Sequence, residues 1–266
     1  MGTGGAVLSC GVRIAPSDAS PAALAGCVAL ARRAEALGFG WIGVAERWDA
    51  GGGVPDALSL CAAIAAATER ARIATAALPL PLHHPLRVAE HAATIDVLSA
   101  GRLDLGVGLG ASETPFAGFG LEADERAARF AEALALLRAA WSDAPVTFRG
   151  EHFACEGVGV YPKPLQPGGP PLFAAATAPP ALRRAAQLGL GLMLPAPADA
   201  SAYLAACAEE NVPPRIVVLA SAEAGRSSLA AWAAHSRSAS LVLAFEARSE
   251  DELARAAALA TELRSA

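Results

Sequence analysis

Two hydrophobic rhythms alternate along the chain. Short runs that are apolar on both faces read as buried strands: residues 7–14 (VLSCGVRI), 41–45 (WIGVA), 72–78 and 103–107. Between them, apolar residues recur three and four apart. Leu24, Val28, Ala31 and Ala34 follow Ser20 as N-cap and Pro21 as first helical residue, and Gly38 closes that helix. A second helix is predicted from about Asp56 to Thr68. A third runs from near Pro85 to Gly101, with Val88, Ala92, Ile95 and Leu98 on one face, and a fourth carries Phe130, Leu134, Leu137 and Trp141. Residues 145–170 break the rhythm with alternation and many Gly and Pro residues, which predicts a hairpin and an extended arm. The rhythm then resumes. Strands are predicted at 171–175, 191–194, 215–220 and 241–245, and helices at 179–188, 199–210 and 227–236. A last helix opens on Ser249 and Glu252 at capping-box spacing.

Eight strand–helix units in succession predict one α/β domain over residues 1–266, a compact (β/α)8 TIM barrel with a short hairpin or arm between the fourth helix and the fifth strand. The competing doubly wound sheet rests on Gly106-Val107-Gly108-Leu109-Gly110. That run is GxGxG rather than GxGxxG and lacks a well-placed ribose-binding acid.

Composition narrows the function. With 54% hydrophobic and 18% charged residues and a mean hydropathy of +0.38, the chain buries a large core. A net charge of −5 and a single lysine, Lys163, offer no basic stripe for nucleic acid. No run of 18 apolar residues escapes Pro, His or charge, so no membrane partner is expected, and the first ten residues do not resemble a secretory signal. The five cysteines form no CxxC pair and read as small core residues in a reducing, cytoplasmic setting. Metal is not expected. His83 and His84 are neighbours in an extended turn, which seldom aim at one ion, and no carboxylate is expected to pair with them; His91 reads as packing or capping, and His152 and His235 have no visible partner.

A barrel carries its chemistry at the C-terminal ends of its strands. That picks out Pro16 and Ser17, then Glu46, Arg47 and Trp48, then residues 76–84 and 108–113, then Thr177 and Met193. The blocks His84-Pro85-Leu86-Arg87-Val88-Ala89-Glu90-His91 and Thr94 through Gly110 resemble the luciferase-like flavin-dependent oxidoreductases. Phe119-Gly120 with Arg126, Glu132-Ala133-Leu134 and Trp141 is similar to the same family, as is the run from Pro164 to Gly189.

The resemblance implies a barrel that binds FMN, or in some members the deazaflavin F420, and acts on a small organic substrate, often as a homodimer. The FMN monooxygenases of this family use O2 and take reduced flavin from a separate reductase. It further implies a non-prolyl cis peptide at Ala76-Ala77 behind the ring, Gly108 and Leu109 flanking the cofactor, and Thr177 with Ala178 at an anion site before a helix. Some members carry an arginine where Leu109 stands, and close relatives of the luciferases have Glu-His-His where this chain has Glu46-Arg47-Trp48. Arginine does not exchange protons near neutral pH, so Arg47 is expected to stabilise an anionic reduced ring or clamp an acidic substrate. A salt-bridged structural role for Arg47 stays open. Trp48 and Met193 are expected in the substrate pocket, Trp48 as an apolar wall. The function expected from this resemblance is a monooxygenase that uses reduced FMN and O2 on a small organic substrate; the alternatives are an F420-dependent hydride-transfer enzyme and a non-catalytic flavin-binding or partner subunit that has lost the histidine.

Overall fold

A computed structural model describes residues 8–16, 18, 20–48, 54–196, 198–220, 232 and 239–265. Ser17 and the helix expected over 227–236, apart from the buried Trp232, lie outside the described residues.

Eight parallel strands close into a barrel. They are β1 (Leu8–Ile14), β2 (Trp41–Val44), β3 (Arg72–Pro79), β4 (Leu103–Gly108), β7 (Leu172–Ala175), β8 (Gly191–Pro195), β9 (Arg215–Ala220) and β10 (Ser240–Ala247). Each pairs with its neighbours in sequence, and β10 returns to β1 in register from Leu8↔Leu241 to Ile14↔Ala247. The helices that cover the barrel among the described residues are α1 (Pro21–Ala36), α2 (Ala57–Ala67), α3 (Pro85–Leu98), α5 (Arg126–Ala140), α6 (Pro179–Gln187), α7 (Ser201–Glu209) and α8 (Glu250–Ser265). A short α4 (Thr114–Gly118) follows β4. The expected insertion is an antiparallel hairpin of β5 (Val146–Arg149) and β6 (Ala154–Val158).

Local chemistry sets these boundaries. Ser20 accepts a hydrogen bond from the Ala23 N–H at 3.1 Å, and Pro21 begins α1. Gly38 sits just past its end at φ +86°, a conformation that favours glycine. Asp56 caps α2 by accepting from the Ser59 N–H at 2.6 Å. At α8, Ser249 Oγ accepts from the Glu252 N–H, while Glu252 returns a bond to the N–H of Arg248, one residue earlier than a standard capping box.

The barrel has few aromatic residues, and its interior is filled by setting large side chains against glycines. Trp41, Phe173 and Met193 pack there with Ala74, Ala76, Val217 and Ala244. A Cβ on Gly43 would lie 2.3 Å from the Trp41 ring, and one on Gly106 would lie 2.2 Å from the Thr75 carbonyl and 2.6 Å from Met193 Sδ. Neither site has room for a larger residue.

The N-terminal end of the barrel is tied by polar groups. Arg72 donates to both oxygens of the buried Asp104. The buried Asp96 carboxylate, on α3, accepts from the N–H groups of Leu165 and Gln166 and from Gln166 Nε2, which pins the arm beneath the barrel. Arg102 donates to the carbonyls of Ala65, Thr68 and Ala71, closing the end of α2. The stretch most specific to the resemblance, around Leu98 to Gly110, therefore contributes Arg102 and Asp104 to the architecture.

Candidate active site

A cavity of about 410 Å³ opens at the C-terminal ends of the strands, within the range usual for small-molecule sites. Glu46, Arg47 and Trp48 line it beyond β2, and Ala77, Leu78, Pro79 and Leu82 at the end of β3. Beyond β4 come Gly108 to Ser112 and Pro115, and Ala175 closes the wall from β7.

Its inner wall is made of very small groups. β3 departs from regular pairing with β4 between Thr75 and Leu78, and the Ala76-Ala77 peptide there is cis. The expectation for that peptide holds. A Cβ placed on Gly108 would sit 3.4 Å from Ala175 Cβ and 4.0 Å from Ala77 Cβ, so three strands bring nearly bare backbone together along one wall. Such a slot fits a flat ring system, which needs close backbone approach over a broad face. Gly110, at φ +83°, then turns the chain toward α4.

The mouth is organised by Glu46. Its side chain is only 1% exposed, yet every donor around it is accounted for. Oε1 accepts from Trp48 Nε1 at 2.8 Å and faces His83 Nε2 at 2.6 Å, while Oε2 accepts from the Ala57 N–H at 3.3 Å. One carboxylate thus joins the end of β2, the turn after β3 and the start of α2. For His83 to donate to Glu46, its proton must sit on Nε2, which leaves Nδ1 with no partner among the described residues. Across the mouth, Trp48 meets Phe119 edge to face with ring centres 5.0 Å apart.

A second cavity of about 150 Å³ adjoins the first and shares Gly108, Leu109 and Ala175 with it. Ala176, Ala181 and Arg184 also line it, which puts a basic residue beside the slot. The start of α6 is a poorer anion site than expected. Its first two residues are Pro179 and Pro180, which carry no N–H, and the N–H groups of Ala181 and Leu182 already bond to Ala178 O. The N-cap is Ala178, not Thr177, and Thr177 is an exposed residue whose hydroxyl has no partner among the described residues.

The remaining candidates divide. Gly108, Leu109, Ala77, Glu46, Arg47 and Trp48 all line the main cavity. Ala76 and Met193 do not: both are buried in the barrel interior, packed with Trp41 and Phe173, Met193 at 1% exposure. The connection from β4 to α5 contains α4, which buries Phe116 completely. His83 was missed as a partner of Glu46. Its signal, a histidine just past the third strand, is visible in sequence, but which acid it meets is set by the pairing of β2 with β3. His84 caps α3 through Nδ1, and His91 approaches Arg87 Nη2 at 3.3 Å. Away from the cavity, Glu132, Glu151 and His152 bring possible ligand atoms together, but Glu132 already accepts from the N–H groups of Glu151, His152 and Phe153. Those bonds outweigh the upward push of burial and hold the Glu132 carboxyl below its usual range.

Similarity to known proteins agrees with this geometry. An F420-dependent glucose-6-phosphate dehydrogenase of Beutenbergia cavernae is 38% identical over 167 residues, covering 60% of this chain and 49% of that protein. The chain thus spans about half the length of the curated relatives it matches. The monooxygenase RslO1 from Streptomyces bottropensis superposes with a TM-score of 0.79 at 24% identity, covering 96% of this chain and 98% of that one. The oxygenating constituent of 3,6-diketocamphane monooxygenase from Pseudomonas putida, solved with FMN, gives 0.71 at 19% identity over 79% and 66% of the two chains. At such identities these structures speak to the fold alone. The sequence profile of the luciferase-like monooxygenases, however, matches residues 6–265, and the chain belongs to that family.

Proposed function

We propose that this protein is an F420-dependent oxidoreductase that transfers a hydride between the deazaflavin and a small organic substrate. The observation that carries the reading is the slot formed by Ala77, Gly108 and Ala175, which offers a flat redox ring close backbone contact at the barrel mouth. Leu109 in place of an arginine, and the likeness to F420-dependent dehydrogenases, favour the deazaflavin over FMN. When bound, the cofactor accepts or donates the hydride, and the chain does the rest. Ala77 and Gly108 would orient the ring, Arg184 would attract its anionic tail, and Trp48 and Leu82 would keep water from one side. Glu46 and Arg47 are the only titratable groups lining the cavity among the described residues. Arg47 stays charged, so proton exchange falls to Glu46 backed by His83.

A second reading, an FMN monooxygenase working with a separate reductase, draws support from the end-to-end superposition on RslO1. Titration of the purified protein with F420 and with FMN separates the two. F420 is expected to bind at least about tenfold tighter, a difference of roughly 1.4 kcal/mol. Tighter binding of FMN would select the second reading, and binding of neither would leave the protein a partner subunit. A homodimer in the cytoplasm belongs to the same proposal.

A further inference from the structure

We infer that the protein binds a small organic carboxylate in a separate cavity at the N-terminal end of the barrel, opposite the candidate active site. None of the residues that carry this assignment lines the candidate active site, so it does not depend on which cofactor binds there.

The cavity has a volume of about 260 Å³ and forms where the barrel strands begin. Trp41 of β2, Arg72 of β3, Asp104 of β4, Arg215 of β9 and Ser240 of β10 line it. Phe173, Val217 and Val242 give it an apolar inner wall. Trp41, Phe173 and Val217 also pack with Met193, Ala74 and Ala76 inside the barrel, and that layer separates the cavity from the slot at the other end.

The N-terminal face of a barrel ordinarily serves stability, through packed or paired side chains. Here the charges do not cancel. Asp104 is met by Arg72, which donates to both of its oxygens. Arg215 has no carboxylate partner among the described residues. Its Nη2 donates to the Gly189 carbonyl at 3.2 Å, and its Cζ lies 5.2 Å from the centre of the Phe173 ring. Nε and Nη1 of Arg215 make no hydrogen bond among the described residues. The lining therefore keeps one positive charge in excess, on a guanidinium whose remaining donors are open.

Trp41 points to the same kind of guest. It is 1% exposed, yet its Nε1 donates to nothing among the described residues, and the Asp104 carboxylate lies near it without accepting. A buried donor without an acceptor is costly, and folded proteins seldom keep one unless water or a ligand fills it.

A carboxylate on a compact hydrocarbon body meets these features together. The guanidinium takes the carboxylate through parallel charge-assisted bonds, the indole N–H offers the guest one more donor, and the body covers the apolar wall. Inorganic phosphate has no body to cover that wall, a neutral alcohol leaves Arg215 without a counter-charge, and an ammonium is repelled by it.

Calorimetric titration of the full chain with benzoate, benzyl alcohol and inorganic phosphate tests this. Benzoate is expected to bind saturably and at least about tenfold tighter than either of the others. Arg215→Gln should weaken benzoate at least about tenfold. Ser240→Asp should do the same with the fold left alone, because Ser240 is exposed and is the register partner of Arg215, so the added carboxylate competes for the guanidinium. Arg47→Gln, at the opposite end of the barrel, should move benzoate affinity less than about twofold. In nitrogen–proton correlation spectra the Trp41 indole signal, assigned by its absence in Trp41→Phe, should shift as benzoate saturates. Absence of saturable benzoate binding would overturn the assignment, as would phosphate or benzyl alcohol binding as tightly as benzoate. So would affinity that depends on Arg47 rather than on Arg215 and Ser240, or a Trp41 signal that stays in place.

Discussion

Glu46 is the side chain on which the mouth of the site depends. Removing a buried acceptor leaves its donors unsatisfied, so Glu46→Ala strands Trp48 Nε1, His83 Nε2 and the Ala57 N–H together. Urea unfolding is expected to show a loss of about 2–3 kcal/mol. His83→Ala is milder for the fold, since Glu46 keeps two donors, but it removes the only imidazole in contact with the cavity lining among the described residues. If the pair handles protons, turnover should fall about a hundredfold with cofactor affinity unchanged. Equal turnover would make His83 a purely structural prop. Glu46 could be singled out in the sequence because barrels carry their sites at the C-terminal ends of the strands, and there it lines the cavity. The role of His83 could not, since it arises from a contact across 37 residues.

The local path of a single element decides which side chains reach the cavity, and β3, irregular between Thr75 and Leu78, shows the consequence. Ala76 and Ala77 look interchangeable in sequence, yet Ala77 lines the cavity while Ala76 packs with Trp41, Phe173 and Met193 below. Ala77→Val should therefore weaken F420 at least about tenfold with little change in stability, and Ala76→Val should do the reverse. Overpacking the interior costs about 1–3 kcal/mol, readable as a shift in the urea midpoint. The same reasoning assigns Asp96 on α3. Asp96→Ala releases the arm at Leu165 and Gln166 and should cost about 3 kcal/mol, while cofactor affinity stays within twofold because the arm lies at the other end of the barrel. The long helices were legible because each repeats its period several times, and the strands because each is a short continuous apolar run between turn signals. α4 was not: at five residues it is too short to show one, and the Gly-rich run around it reads as loop.

Closure of the barrel joins the first strand to the last, and one ion pair sits on that seam. Arg13 and Glu246 are register partners in β1 and β10, with Arg13 Nη2 2.5 Å from Glu246 Oε2 and Arg248 on the other oxygen. Burial pushes the Glu246 carboxyl up, but the two guanidinium groups outweigh it and hold it below its usual range. A carboxyl depressed in the folded state adds stability above its unfolded pKa, and that stability is lost as pH falls through the folded value. Glu246→Gln should therefore cost about 1 kcal/mol at pH 7, a modest figure because the pair is partly solvated. The wild-type advantage should shrink below about pH 4.3 and vanish in stronger acid, as followed by urea midpoints across that range. A constant gap between the two proteins at all pH values would remove the pair from the seam's stability.

Periodicity and turn chemistry were enough to count eight strand–helix units and so to specify a closed barrel, because each strand is apolar on both faces and each helix on one. Barrel geometry alone then pointed to the C-terminal ends of the strands, where a cavity of about 410 Å³ opens, and to Glu46, Arg47, Trp48, Gly108 and Leu109, which line it. Which side chains meet there was beyond reach of any linear pattern. The pairing of Glu46 with His83, the descent of Ala76 and Met193 into the interior, and the two prolines that blunt the anion site at α6 all follow from register, local strand path and backbone hydrogen bonding in three dimensions. Folding is dictated by patterns that repeat, whereas a site is made from single contacts between distant residues, and those exist only once the chain has closed.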